Sequence, residues 1–544
     1  MPSFLRFPWP YPPRGSLLAA FCAVYLATGL VGHDPWKSDD ATHFGIAFAM
    51  SETGRWWVPQ LAGETLVAAP PLFYWVALAC MKLFGWILPL HDSARIASGL
   101  FGAAMLAGIG ACARRLNGDD AGAPAVLLML GCVGLPVHLH DAQPAIALLA
   151  AAAFALCGFA RLPHEPIAGG MIAGVSIGVG FLARGWEAVL LLAPLLLVMP
   201  ALAGPWRNRH VLAGGGLALL AACAVGAIWP LTLATMEPAL WRDWADQVLY
   251  KPDSPALSAA RLGGYLGMVS WYAWPALPLA IWILWKYRTN LTQPAVALPL
   301  ATLLVFLFVL SGIATPRSAT ALPLLVPFVL LATPAATTLR RGAANAFDWF
   351  GMMTFSLLAG LIWIGWIAAM FGVPARVARN AAKLEPGFVM QFAPLAVSAA
   401  VAVTLAWIWL IFASPRDPTR GTVHWAAGMT TIWVLLATLW LPWIDYGRSY
   451  RQVAASLKAA LPSNRSCIAG HELGTAQRAS FHYFAGIKTV PTNKSGATKC
   501  QLMLIQGTGN PPNPTAEPGW RKIWEGRRPG DRFELYRLFK REQS

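Results

Sequence analysis

The sequence predicts a polytopic α-helical membrane protein with about thirteen transmembrane helices and a small α/β domain after the last of them. Three observations predict it. Of 544 residues, 57% are hydrophobic and only 12% are charged, with a mean hydropathy of +0.52, where a soluble domain carries about twice that charge fraction. Apolar stretches of roughly 18–24 residues alternate with short basic loops, the length at which a helix crosses a bilayer. After residue 442 the chain turns polar and shows short alternating apolar runs, the period of strands rather than spans.

The net charge of +16 raises nucleic-acid binding, and the charge distribution excludes it. The Lys and Arg residues sit at span ends and in the final segment, with no contiguous basic stripe. The 26 Trp and 11 Tyr suit anchoring at the membrane interface.

The spans fall near 15–32, 92–113, 121–137, 141–160, 167–184, 186–201, 211–234, 266–285, 295–313, 319–337, 349–373, 389–413 and 423–442. The first follows Arg6 and Arg14, and the GHDPWKSDD after it offers no small-x-small cleavage site, so it reads as a retained span. Only Arg184-Gly185 separates the fifth span from the sixth. With the N-terminus in the cytoplasm, the cytoplasmic connections carry Arg114-Arg115, Arg161, Arg207 with Arg209, Lys286 with Arg288, Arg340-Arg341 and Arg416 with Arg420. Each is basic, as the positive-inside rule requires. The expected site is a bacterial inner membrane, with residues 1–442 as the membrane domain and 33–91 as its first periplasmic loop.

Residues 443–544 then face the periplasm. SCIAG, QLMLIQG, KIWEG and FELYRLF read as strands, and YRQVAASLKAAL and AQRASFHYF as helices. Cys467 and Cys500 each flank a strand; in an oxidising compartment they either pair as a disulfide or stay as two buried thiols.

The first loop carries the chemistry. Asp39 and Asp40 follow span one directly, where a carboxylate pair serves reaction better than stability. SDDATHFGIAFAMSETG places Phe44, Ile46, Ala47 and Met50 at helical spacing before a capping Gly54, and PPLFYWVALACMKLFGW starts a second amphipathic helix at a Pro pair. Both read as helices along the membrane surface.

An acidic pair after span one, then a helix, then Gly54-x-Trp56-x-x-Pro59-x-Leu61-x-Gly63, then Pro70-Pro71-Leu72-Phe73-Tyr74-Trp75, resembles the GT-C glycosyltransferases. The branch is that of the lipid A aminoarabinose transferases and protein O-mannosyltransferase (PMT) relatives. Asp141 at the start of span four, Arg184-Gly185, and Thr315-Pro316-Arg317 before Leu322-Pro323 extend the likeness. The chain departs from the family at Asp39-Asp40-Ala41-Thr42-His43, where Asp-Glu-x-Arg-Tyr is usual, and at Ala68-Ala69, where a metal-contacting Glu and a phosphate-contacting Lys are usual.

The resemblance implies a GT-C fold and an inverting, polyprenyl-phosphate-dependent glycosyltransferase of the periplasmic face. It implies a polyprenyl-linked sugar donor and a glycolipid, glycan or protein acceptor, with lipid A leading and lipopolysaccharide modification as the role. Asp39 takes the acceptor proton, with Asp40 and Asp141 as further catalytic candidates; an N-cap for the following helix is the alternative role of the aspartate pair. Arg184, Arg317, Lys251 and Arg261 are candidates for the donor phosphate, against simple interfacial snorkelling. Asp40, His43, His138, His140 and Asp141 are candidate ligands for a divalent cation, Zn, Mg or Mn. The chain is expected to act as a monomer. A transporter or flippase and a non-catalytic scaffold are the rival classes; scarce mid-span charges and the lack of inverted repeats weigh against transport.

Overall fold

The computed structural model describes residues 11–66, 69–247, 258–462, 467–493, 497, 499–507 and 519–542. In chain order α1 (Gly15–Ala27) and α2 (Asp39–Thr53) precede a hairpin of β1 (Gln60–Leu61) and β2 (Glu64–Thr65). Next come α3 (Leu72–Phe84), α4 (Leu90–Asn117), α5 (Gly122–Gly131), α6 (Pro136–His140), α7 (Pro144–Arg161) and α8 (Pro166–Arg184). Then α9 (Trp186–Leu192), α10 (Leu195–Leu202), α11 (Arg209–Gly226), α12 (Ile228–Met236), α13 (Pro238–Ala245), α14 (Ala259–Tyr272), α15 (Ala276–Lys286) and α16 (Pro294–Ile313) follow. The membrane part closes with α17 (Ser318–Ala321), α18 (Leu325–Ala332), α19 (Ala335–Thr338), α20 (Arg341–Phe371), α21 (Ala375–Leu384), α22 (Pro394–Ala413), α23 (Arg420–Leu435) and α24 (Leu441–Arg448).

Among the described residues nine helical runs are long and apolar enough to cross a membrane, and α14–α15 make a tenth that bends by 104°. The thirteen expected spans match these ten and three shorter pieces: α1 with 13 residues, α5 with 10, and α9–α10. Pro194 and the Gly185 corner break the last of these, since Pro cannot donate to the preceding turn. α7 is the central helix, with 89% of its span inside the protein. Its neighbour α8 is held close to α11 by glycines. A Cβ on Gly170 would lie 2.3 Å from the Gly214 carbonyl oxygen, and one on Gly174 would lie 2.2 Å from that of Ala218. Small residues four apart let two helices touch backbone to backbone, and this contact fixes where Arg184, the last residue of α8, emerges.

The C-terminal domain begins with α25 (Arg451–Ala460), which continues the helical run of α23 and α24. It then builds β3 (Ile468–His471), α26 (Thr475–Ala485), β4 (Thr489–Pro491), β5 (Leu502–Gly507), β6 (Trp520–Gly526) and β7 (Leu535–Arg541). The sheet order is β4-β3-β5-β7-β6, parallel across β4-β3-β5 and antiparallel beyond. All four expected strands and both helices form; the short strand β4 went unread because three residues carry no alternation. Cys467 and Cys500 are joined by a disulfide.

This domain sits on the first loop. Gly45 of α2 faces Ala479 of α26 so closely that a Cβ there would lie 2.4 Å from that of Ala479. Arg478 pairs with Glu64 at 2.6 Å, and Lys37 with Glu534. Asp34 accepts from Ser449 at 2.6 Å and from Arg451 Nε at 2.9 Å. The two amphipathic helices of the loop are therefore roofed by protein, and their apolar faces share one core with Ala479.

Candidate active site at the first loop

The site starts from the turn that launches α2. Ser38 is the N-cap, and Asp39 and Asp40 fill the first turn, where the helix dipole favours negative charge. Gly54 ends the helix in the left-handed region at φ 67°, a conformation that costs glycine least. Neither aspartate caps the helix with its side chain, and the two part company at once because successive residues point about 100° apart on a helix.

Asp40 points inward and is 2% exposed. Its Oδ1 accepts from Arg95 Nε at 3.0 Å and from the Ala142 amide at 2.8 Å; its Oδ2 accepts from Arg95 Nη2 at 2.8 Å and the Trp36 amide at 3.0 Å. Burial alone would raise its pKa, but Arg95 and these donors outweigh it and hold the carboxyl down to about 2. Every lone-pair direction is in use.

Asp39 points away from Arg95 and stays nearer the surface. It accepts from Gln143 Nε2 at 3.0 Å and Ser38 Oγ at 3.2 Å, and it remains partly exposed. Around it stand His43, His138, Asp141 and Arg184, close enough to feel its charge. His43 bonds the Tyr74 hydroxyl at 2.9 Å. Burial lowers its pKa to about 4 against the pull of Asp39, so the ring is neutral at neutral pH. Asp141 has its pKa raised well above the usual range, first by burial and then by Asp40. Its carboxyl makes no hydrogen bond among the described residues, leaving it to donate or accept toward a bound group.

Arg184 ends α8 before Gly185, whose φ of 64° turns the chain. It binds Glu187 through Nε at 3.0 Å and Nη2 at 2.7 Å and feels the charge of Asp39. Arg261 and Arg317 lie at the adjoining end of the bundle. Arg261 donates to the Gly312 carbonyl at 2.8 Å, and Tyr265 bonds Thr320 at 3.1 Å beside Arg317, which is exposed. Lys251 falls outside the described residues.

The expected cation ligands do not converge. His140 is turned away, bonding the carbonyls of Pro136 and of Tyr25 (2.9 Å) and stacking on Trp433 at 4.6 Å. With Asp40 committed to Arg95 and His43 to Tyr74, no group of three His, Cys, Asp or Glu side chains at metal spacing exists among the described residues. These side chains do not fit a divalent cation as they stand, and no step is derived through one.

Sequence reading missed Arg95, Gln143, Tyr74 and Arg448. Arg95 carried a usable signal, a charge one turn inside a span, where an ionisable residue needs a partner. Gln143 sits two residues past Asp141 at the same span start. Arg448 stacks over Trp36 at 5.3 Å and reaches Asp141 electrostatically; nothing local linked it to a loop 400 residues away.

The sequence model of the dolichyl-phosphate-mannose-protein mannosyltransferase family matches residues 68–229, the stretch holding Asp141 and Arg184. The undecaprenyl phosphate-alpha-4-amino-4-deoxy-L-arabinose arabinosyl transferase of Pseudomonas aeruginosa (strain LESB58) is 28% identical over 78% of this chain and 74% of its own. The Yersinia enterocolitica enzyme of the same name is 23% identical over 78% of this chain and 76% of its own. The fold superposes on ArnT from Cupriavidus metallidurans bound to undecaprenyl phosphate, with a TM-score of 0.69 over 96% of this chain and 97% of that one, at 14% identity. The chain has the GT-C fold and is a glycosyltransferase. A multi-pass membrane bundle of a bacterial inner membrane carries the candidate site. Ala68-Ala69 stand where the resemblance leads one to expect a Glu-Lys pair, and Arg184 lies within electrostatic reach of Asp39.

Proposed function

We propose that the protein transfers a sugar from an undecaprenyl-phosphate donor to lipid A or a related glycolipid, with inversion, on the periplasmic face. The N-terminus lies in the cytoplasm and the C-terminal domain outside, in keeping with the basic connections of the opposite face. The observation that carries the reading is the contrast within the aspartate pair: Asp40 is fully bonded, whereas Asp39 keeps a partly exposed carboxylate facing Arg184. The similarity to named aminoarabinose transferases supports the donor class.

In this reading Asp39 takes the proton from the acceptor oxygen as that oxygen bonds to the anomeric carbon. Gln143 holds Oδ2 and Ser38 holds Oδ1 by one bond each, which leaves a lone pair on each oxygen for the acceptor. The bond to the lipid phosphate breaks on the opposite face of the sugar. Arg184 receives the departing charge, with Arg317 and Arg261 flanking the lipid chain's approach. Asp141, whose protonated form is favoured by burial and by Asp40, donates a hydrogen bond to a sugar or acceptor oxygen when it carries its proton. An acceptor that is already an ionised phosphate needs no base, so Asp39 matters most for a hydroxyl. Any cation would have to be recruited with the substrates, around Asp39 and Asp141.

The test is transfer of labelled sugar from undecaprenyl phosphate to lipid A in proteoliposomes. Wild-type protein transfers the label; Asp39→Asn, folded by its circular dichroism and melting temperature, does not. Wild-type protein that moves no sugar to lipid A or other glycolipids overturns the acceptor class, and an Asp39→Asn enzyme running at the wild-type rate overturns the base. Running both arms with chelator decides cation dependence.

A further inference from the structure

The far end of the bundle from Asp39 holds a second polar cleft of about 830 Å³. Its position follows from the helical run starting at Arg420. Asp445, which bonds Trp36 beside the candidate site, lies about 25 residues further along, roughly 35 Å at the rise of an α-helix.

Three arginines from separate elements line the cleft: Arg341 at the start of α20, Arg416 in the α22–α23 connection, and Arg420 at the start of α23. Two aspartates line it too, and both are committed. Asp417 accepts from the Thr419 amide at 2.8 Å and from its hydroxyl. Asp348 accepts from buried His424 at 2.6 Å. Arg420 Nη2 donates to the Ile411 carbonyl at 3.1 Å, while its Nε stands 3.5 Å from Asp348 without a hydrogen bond. Arg341 and Arg416 have no acidic partner among the described residues.

The two helices that begin here reinforce the positive field. Neither α20 nor α23 has a side-chain cap or an acidic residue in its first turn, so their free amides and positive dipole ends face the same space. Just above, Trp349, Phe350 and Phe412 are 61%, 51% and 64% exposed, an apolar and aromatic surface suited to acyl chains. Unneutralised guanidiniums, helix amides and an adjoining apolar wall suit one chemical class, a phosphate group carried on a lipid.

We infer that this cleft binds the phosphate headgroup of an acidic membrane phospholipid in the leaflet opposite the reaction site. Basic pockets between spans favour such headgroups, and Arg grips phosphate in bidentate fashion. The inference is independent of the transfer reaction.

The test uses the whole protein in detergent, with bound lipid counted by native mass spectrometry and stability followed by thermal unfolding. The probes are phosphatidylglycerol, phosphatidylcholine and sodium phosphate. Wild-type protein should retain phosphatidylglycerol over phosphatidylcholine and melt higher with it. Arg341→Gln/Arg416→Gln should bind phosphatidylglycerol about thirtyfold more weakly, with the single variants in between. Should the double variant fail to fold, Arg341→Lys and Arg416→Gln alone carry the comparison. Equal retention of the two lipids, or variants that hold phosphatidylglycerol like the wild type, overturns the inference. Stabilisation by sodium phosphate that the double variant loses, without lipid preference, likewise overturns the lipid assignment and leaves a site for a soluble phosphate.

Discussion

Arg95 grips Asp40 from two sides, Nε to Oδ1 at 3.0 Å and Nη2 to Oδ2 at 2.8 Å, with no exposed surface on the guanidinium. The remaining donors of Arg95 go to Asp92 and to the carbonyls of His33 and Asp34. One buried cation thus ties α4 to the turn before α2 and fixes the aim of the neighbouring carboxylate.

Asp40→Asn should therefore act on stability first. Removing one partner of a buried ion pair leaves the other charge uncompensated, at a cost of about 3–5 kcal/mol. The variant is expected to lose yield and melting temperature, and Arg95→Met in the same chain should restore part of both. A melting temperature within about a degree or two of wild type, far less than so large a loss would produce, would show that the pair is not structural.

Asp39→Asn should do the reverse. The residue is partly exposed and holds only Gln143 and Ser38, so folding is expected to persist while transfer to a hydroxyl acceptor drops by about 10²–10⁴, the usual worth of a general base. Steady-state transfer alongside thermal unfolding separates the two effects.

Arg184→Gln should weaken donor handling by about 10- to 100-fold, the worth of a hydrogen bond to a charged group. The loss should appear with the undecaprenyl-phosphate donor and spare acceptor KM. Arg184→Lys keeps the charge but not the fork that binds Glu187, and should recover only part of the rate.

Stability should fall on mild acidification. Burial, helped by Arg95 at His33, lowers the pKa of His33 and of His43 to about 4, from 6.5 in the unfolded chain. Below pH 6.5 the unfolded chain takes up protons that the fold refuses, so stability drops as pH falls toward about 4 and changes no further from these groups beyond it. Asp40 adds its own loss only lower, between 3.8 and about 2. Melting temperatures in detergent across pH 4–7 check this; His33→Gln with His43→Gln should flatten the slope.

Removing the Cys467–Cys500 link by a Ser pair should destabilise the outer domain by about 2–4 kcal/mol, given a closed loop of 33 residues. Limited proteolysis of the outer segment reports it directly.

Much of this was legible from the residues. Hydropathy placed ten spans, and alternation placed four strands. Asp39, Asp141 and Arg184 come from separate segments, and the fold brings Asp141 and Arg184 within electrostatic reach of Asp39. What stayed hidden depended on direction rather than identity. Asp39 and Asp40 look alike in the sequence, and only the turn of about 100° between them sends one to Arg95 and leaves the other nearer the surface. His140 looked like a ligand beside His138 and Asp141, but α6 aims it at Tyr25 and Trp433. Three spans came out short because Gly185, Pro194 and loop geometry interrupt them, which hydropathy averages away.

The clasp between loop and outer domain sets an order of assembly. Lys37 meets a carboxylate 497 residues further along the chain, and Asp34 waits for Ser449 and Arg451. A ribosome that stops early leaves the aspartate loop without its roof. The contacts that cover the aspartate loop are thus completed only when almost the whole chain has been made, and a fragment ending at the final span would leave that loop uncovered.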